Sequence, residues 1–262
     1  MQVLDPDAGQ PLRLQRESGC WTLTLQRTAK ANALTAAMME ALADAADEAG
    51  RQPLPPVLLL RSASARAFCA GADIAEFAAG APALQRQEHA LLRLIGALAR
   101  TPAPLLMEAR GRAAGAGAIL LALGDVVIAG DDLVLAAPEM AFGMYPVIVE
   151  AVLASRLPPA LAMQLCLSGR ALAADEALAL GLATERLPAR GFEQAAAARR
   201  EHYLARATAL RTARAARLAG PDGEPMLERL QRVAPLMGRN YADPAVRERI
   251  ARYLDDLRHR RE

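Results

Sequence analysis

Aromatic residues are scarce, at 3% of 262 residues, although apolar types together make up 53%. The core must therefore be built from aliphatic side chains and close backbone approach rather than from large rings. Cysteine is sparse as well: Cys20, Cys69 and Cys166 are odd in number, scattered and without metal-ligand spacing. That argues against a disulfide framework or a metal site, suits a reducing cytoplasm, and makes each thiol a small buried packing residue. No apolar run reaches the roughly 18–20 residues of a membrane span, because Asp125, Asp131 and Asp132 interrupt the most hydrophobic stretch. Met1 to Gly9 carries Asp5 and Asp7 and shows no signal-peptide pattern. Charge excess is also missing: 31 basic residues against 29 acidic ones leave +2, which argues against a dedicated nucleic-acid or polybasic membrane surface. A cytoplasmic globular protein is expected, long enough for one large α/β core with an appendage.

What is present reads as strands alternating with helices. Leu12 and Leu14, then Trp21, Leu23 and Leu25, alternate with polar residues on either side of Glu17-Ser18-Gly19, the pattern of a β-hairpin. Thr35 caps a helix that turns Met39, Leu42, Ala45, Ala46 and Ala49 inward. Strands follow at Val57–Leu60, Leu105–Ala109, Val126–Ala129 and Leu133–Ala136, with helices over Leu84–Arg100 and Ala116–Leu123. From about Ala160 the pattern is helical, apart from a strand-like interval at Leu182–Leu187, and three long helices close the chain. Arg211, Arg214 and Arg217 stand at helical spacing, either a solvated face or, less simply, an anion-binding stripe. Pro221 to Pro225 is a loop signal.

Three segments carry the candidate chemistry: Ala67 to Ile74, Gly111 to Gly117, and Pro138 to Gly143. Each is read as a turn that follows a strand. Small residues let backbone approach a ligand closely, and a helix starting at Ala116 would point free N–H groups into that space. Two such N–H groups from separate turns make an oxyanion hole, although Ala-Gly clusters also serve plain helix–strand packing. A dinucleotide fingerprint at Gly115-Ala116-Gly117 fails, since its third glycine would fall at Leu120 and the following helix is too short.

In order and spacing these segments, with Lys30-Ala31-Asn32-Ala33-Leu34, Leu167-Ser168-Gly169-Arg170, Glu176-Ala177 and Gly181-Leu182, resemble the crotonase family, the enoyl-CoA hydratase/isomerase superfamily. The resemblance covers about the first 190 residues. It implies an α/β fold with a crotonase-like spiral ββα core over residues 1–190 and a C-terminal α-helical oligomerisation region over 191–262. It also implies acyl-CoA thioester substrates, a homotrimer or hexamer, and no cofactor or metal beyond the coenzyme A of the substrate itself. By position, the family's oxyanion-hole amides match Ala72 and Ala116, and its substrate and coenzyme A contacts match Lys30, Ala31, Ala70, Gly71, Ala72, Gly115, Ala116 and Ile119.

Many hydratases of the family carry two glutamates. Here the later one matches Glu139, while the earlier falls on Ile119, which neither accepts nor donates a proton. A single glutamate suffices for a double-bond shift, so the resemblance implies an enoyl-CoA isomerase with Glu139 as the base. The alternatives are a hydratase of fatty-acid or amino-acid degradation and a non-catalytic acyl-CoA-binding homologue. Asp73 is expected to cap a helix, Glu150 to be solvated, Tyr145 to form a pocket wall, and His89, His202 and His259 to lie at the surface.

Overall fold

The computed structural model describes residues 10–78, 80–219 and 224–259. The stretch Met1 to Gly9, read as lacking a signal peptide, lies outside them, as do Pro221 to Gly223 of the segment read as a loop, whose last two residues, Glu224 and Pro225, instead begin a helix. Strands β1 (Leu12–Glu17) and β2 (Cys20–Leu25) form the expected hairpin, with Leu12 opposite Leu25 and Glu17 opposite Cys20. From β2 the sheet continues through β3 (Val57–Ser62), β5 (Leu105–Ala109), β7 (Val126–Gly130) and β10 (Glu185–Leu187), all parallel.

A second sheet orders β4 (Ala67–Cys69), β6 (Arg112–Ala114), β8 (Val134–Ala136) and β9 (Leu172–Ala173). Each long strand therefore runs on into a short one: β3 into β4, β5 into β6, β7 into β8. The two sheets add these strands in the same order, so the chain advances by one ββα turn at a time, which is a spiral.

Between them run α1 (Ala36–Gly50), α2 (Ile74–Phe77), α3 (Ala81–Arg100), α4 (Ala116–Leu123), α5 (Val147–Leu153), α6 (Pro159–Ser168) and α7 (Ala174–Ala179). The described residues then close with α8 (Phe192–Leu204), α9 (Ala207–Ala219), α10 (Glu224–Ala242) and α11 (Pro244–His259), four described helices where the sequence suggested three.

The main sheet is covered on both faces. Leu58, Leu60, Leu105, Met107, Val127 and Ala129 pack toward α1, α3 and α4, while Val57, Leu59, Leu106, Val126 and Ile128 pack toward Phe192 and Ala196 of α8. Successive residues thus serve opposite faces, so these strands read as unbroken apolar runs. Helix α4 is buried at every one of its residues and shows no polar face. Thr35 caps α1 as expected, its Oγ1 accepting from the Met38 N–H at 3.2 Å.

Several expectations are corrected. Ala67–Cys69 and Arg112–Ala114, read as parts of turns, are strands of the second sheet. The arginine stripe is neither a solvated face nor an anion site. Arg214 is buried and donates to the carbonyls of Leu98, Ala99 and Thr101 at the end of α3, and to Asp125 at 3.0 Å. Arg211 donates to the Pro55 carbonyl and Arg217 to Asp125. Nearby Arg156 donates to the carbonyls of Ala122 and Gly124 at the end of α4, and burial pushes its guanidinium down to about 10. Two helix C-termini, whose last carbonyls lack intrahelical partners, are satisfied in this way. Glu150 is buried rather than solvated and pairs with Arg229 of α10. The three cysteines are free and buried, and the three histidines are exposed. Among the described residues no helix is long and apolar enough to cross a membrane.

Candidate active site

The first wall of the site is assembled around Asn32. Ala31 and Asn32 both adopt left-handed backbone, with φ of 49° and 55°. The buried Asn32 amide donates to Ser62 Oγ at 2.7 Å and to the carbonyls of Ala67 and Phe68, locking the Lys30–Asn32 turn onto β4. The Ala70 N–H then reaches the Ala31 carbonyl at 2.9 Å. Beyond it, Leu34 bridges the chain on both sides of Ala72: its N–H meets the Gly71 carbonyl and its carbonyl meets the Asp73 N–H, each at 2.8 Å. In such a parallel bridge the N–H of the middle residue points away from its neighbour, so the Ala72 amide faces the other way. Asp73 behaves as expected, accepting from the Ala75 N–H at 3.0 Å as the cap of α2, and it also pairs with Arg27 at 2.6 Å.

The second wall is the start of α4. Gly115 has φ of 51° and Gly71 a φ of 109°, conformations that disfavour a side chain. A Cβ on Gly71 would stand 3.1 Å from the Ala114 carbonyl oxygen and 3.7 Å from the Ala116 nitrogen, so the two turns lie against one another. Ala116 is the first residue of α4, where N–H groups have no intrahelical acceptor. The amides of Ala72 and Ala116 thereby come from separate turns onto one space, with neither hydrogen-bonded to a protein acceptor among the described residues.

Glu139 stands beside them on a 3-10 turn, Pro138–Phe142. A Cβ on Gly115 would come within 2.7 Å of Glu139 Oε1, so glycine is what admits the carboxyl to this position. The residue is partly buried as a whole, but its Oε2 is shut off from solvent and has no protein partner among the described residues. Burial pushes the carboxyl up to about 7, against the smaller pull of its own backbone N–H. Ile119, one turn into α4, is fully buried.

Every candidate residue from the sequence lines one cavity of about 1150 Å³: Lys30, Ala31, Ala70, Gly71, Ala72, Gly115, Ala116, Ile119 and Glu139. Tyr145 is part of its wall, and burial pushes that hydroxyl up to about 12. Sequence reasoning missed Gln87 and Leu91 of α3, Met237, Asn240 and Tyr241 of α10, and Arg249 of α11, which line the same cavity. Asn240 donates to the Tyr145 carbonyl at 3.0 Å, and Arg249 rests on the Phe142–Gly143 turn. No local motif marks these helical residues, because their place over the cavity is set by how α10 and α11 fold back.

Two backbone amides without a protein acceptor beside a carboxyl with one oxygen shut off from solvent form a site suited to holding a carbonyl oxygen as it gains charge while a neighbouring carbon exchanges a proton. A family model described as enoyl-CoA hydratase/isomerase matches residues 20–259. The chain belongs to the enoyl-CoA hydratase/isomerase family. It is 33% identical over 195 residues to a Rhodobacter capsulatus protein named probable enoyl-CoA hydratase, covering 73% of this chain and 74% of that one. It is 34% identical over 172 residues to the 1,2-epoxyphenylacetyl-CoA isomerase of Escherichia coli, covering 63% and 65%. Among solved structures, an enoyl-CoA hydratase from Mycobacterium avium subsp. paratuberculosis superposes with a TM-score of 0.77 at 27% identity, covering 95% of this chain and 100% of the other. The fold is therefore the crotonase-type α/β spiral with C-terminal helices, and the protein is an enzyme of this family.

Proposed function

We propose that the enzyme shifts a carbon–carbon double bond in an enoyl-CoA thioester, using Glu139 as the sole proton carrier. In this reading the Ala72 and Ala116 N–H groups hold the thioester oxygen and favour the enolate form. Glu139 takes a proton from one carbon of the acyl chain and returns it two carbons away. A carboxyl near 7 is matched to that double duty, since donor and acceptor forms coexist at neutral pH. Lys30 and Ala31, at the exposed end of the cavity wall, are the proposed contacts of the coenzyme A moiety.

The observation that carries the reading is the pairing of Glu139 with Ile119. Hydration needs a water held and deprotonated while a proton is delivered to the neighbouring carbon, work that two carboxyls share naturally. Of the other acids on the cavity wall, Asp73 is engaged by Arg27 and Asp256 lies on the last helix. Ile119 instead presents an apolar wall that keeps water from the enolate. Hydration is the second reading, favoured by the name of the Rhodobacter relative.

Incubation with a 3-enoyl-CoA and, separately, with a 2-enoyl-CoA decides between them. Absorbance reports conjugation and mass spectrometry reports the products. We expect 2-enoyl product without gain of mass; uptake of one water by the 2-enoyl substrate at a comparable rate would replace isomerisation by hydration. Thioester binding without either reaction would leave a non-catalytic acyl-CoA-binding protein.

A further inference from the structure

We infer that Gln87 is a specificity-determining residue that reads a hydroxyl group on the acyl part of the substrate, an inference that rests on the thioester reading above. Gln87 is 1% exposed and lines the cavity from α3, with Leu91 one turn further along the same face. Its orientation is fixed by what surrounds it. The Nε2 group faces three oxygens: the carbonyls of Leu34 at 3.3 Å and Asp73 at 3.1 Å, and Glu76 Oε2 at 2.8 Å. All three are acceptors, so the amide nitrogen must be the end that meets them and Oε1 must point the other way.

That Oε1 is buried and accepts from no protein donor among the described residues. The Asn32 Oδ1 and Asp132 Oδ1 atoms are in the same condition but do not line the cavity. Glu139 does line it, and it is the proposed proton carrier. Among the described residues that line the cavity, Gln87 is thus the one besides Glu139 with a buried side-chain acceptor that has no protein partner. The carbonyls that pin its nitrogen belong to Leu34 and Asp73, which are themselves joined by the Asp73 N–H to Leu34 carbonyl bond next to Ala72.

A plain hydrocarbon chain passing this point would bury Oε1 unpaired, whereas a neutral donor would satisfy it. An anionic group would meet an acceptor, with the Glu76 carboxylate close by, where it needs donors, and a cation would have to shed its water to reach an oxygen shut off from solvent. A hydroxyl fits both conditions.

The test is calorimetric binding of saturated acyl-CoA thioesters bearing a hydroxyl at successive carbons, each against the unsubstituted chain of the same length. The wild-type enzyme is expected to favour one hydroxylated isomer by about ten- to a hundredfold. In Gln87→Met that ratio should fall to about one, whatever the change in absolute affinity, because loss of the Nε2 contacts alone would weaken both ligands alike. Equal binding of every pair by the wild type, or a preference that survives in Gln87→Met, overturns the inference and leaves the thioester reading standing. Failure of all the thioesters to bind a folded enzyme overturns both.

Discussion

At neutral pH the Glu139 carboxyl is divided between its protonated and ionised forms, because burial holds it at about 7. In the proposed reaction the ionised form is the base that begins the double-bond shift, so kcat/KM for a 3-enoyl-CoA should fall as pH drops through about 7 and level off above it, a profile that stopped-flow absorbance can record. The same shift acts on stability with the opposite preference. A folded-state value raised above the unfolded one means that the folded chain holds the proton more tightly, so this group costs stability increasingly as pH rises from the unfolded value toward 7. Glu139→Gln should therefore raise the melting temperature relative to the wild type more at about pH 8 than at about pH 5. The proposed isomerase rate should fall by about 10²–10⁴-fold in this variant, while calorimetry should find thioester affinity little changed. The residue was legible in the sequence only through the ordered motifs around it. The acceptor on Gln87 was not, because a glutamine inside an amphipathic helix looks like any polar surface residue until its neighbours are known.

Elements explain the rest of what sequence showed and hid. Strands β3, β5 and β7 were plain because four or more consecutive buried residues stand out, and the β1–β2 hairpin because its apolar residues alternate with polar ones. Strands β4 and β6 were not, because each is only three residues long and made of the small residues that also make turns. Arg214 looked solvated because arginine usually is; its partners are carbonyls at the end of α3 and one aspartate far away in sequence, which no local pattern reveals. The pair is buried, with Arg214 side-chain exposure of 2%. Arg214→Met leaves Asp125 half-answered and uncaps α3, so urea unfolding should show a loss of about 3–5 kcal/mol. A mutation to solvent-facing Arg232, whose ion pair with Glu228 is exposed, should cost less than about 1 kcal/mol in the same assay.

On the scale of the whole molecule, the C-terminal helices serve the chain's own cavity. Met226, Leu230, Ala234 and Met237 of α10 join the main core, and Val246 and Ile250 of α11 pack with Met144 beside the Glu139 turn. Glu150 and Arg229 fasten α5 to α10 at the same place. The part of this region that sequence anticipated was its helicity; its return over the cavity depends on contacts between residues about a hundred positions apart. We further propose assembly as a homotrimer or a pair of trimers, supported by Met163 and Leu167, which expose 48% and 51% of their surface on one face of α6. Light scattering should then give three or six times the monomer mass.

Lys30 also has a meaning for the molecule as a whole, since it is the only lysine among the 31 basic residues. Its exposed ammonium stands at the cavity wall, and every other side-chain cation is a guanidinium that does not react with acylating dyes. An amine-reactive fluorophore would thus find a single lysine target, placed where a coenzyme A thioester is proposed to enter. Bound thioester should slow that labelling, and a dye once attached should report occupancy of the site by its change in emission, giving this enzyme a built-in optical handle on its own ligand.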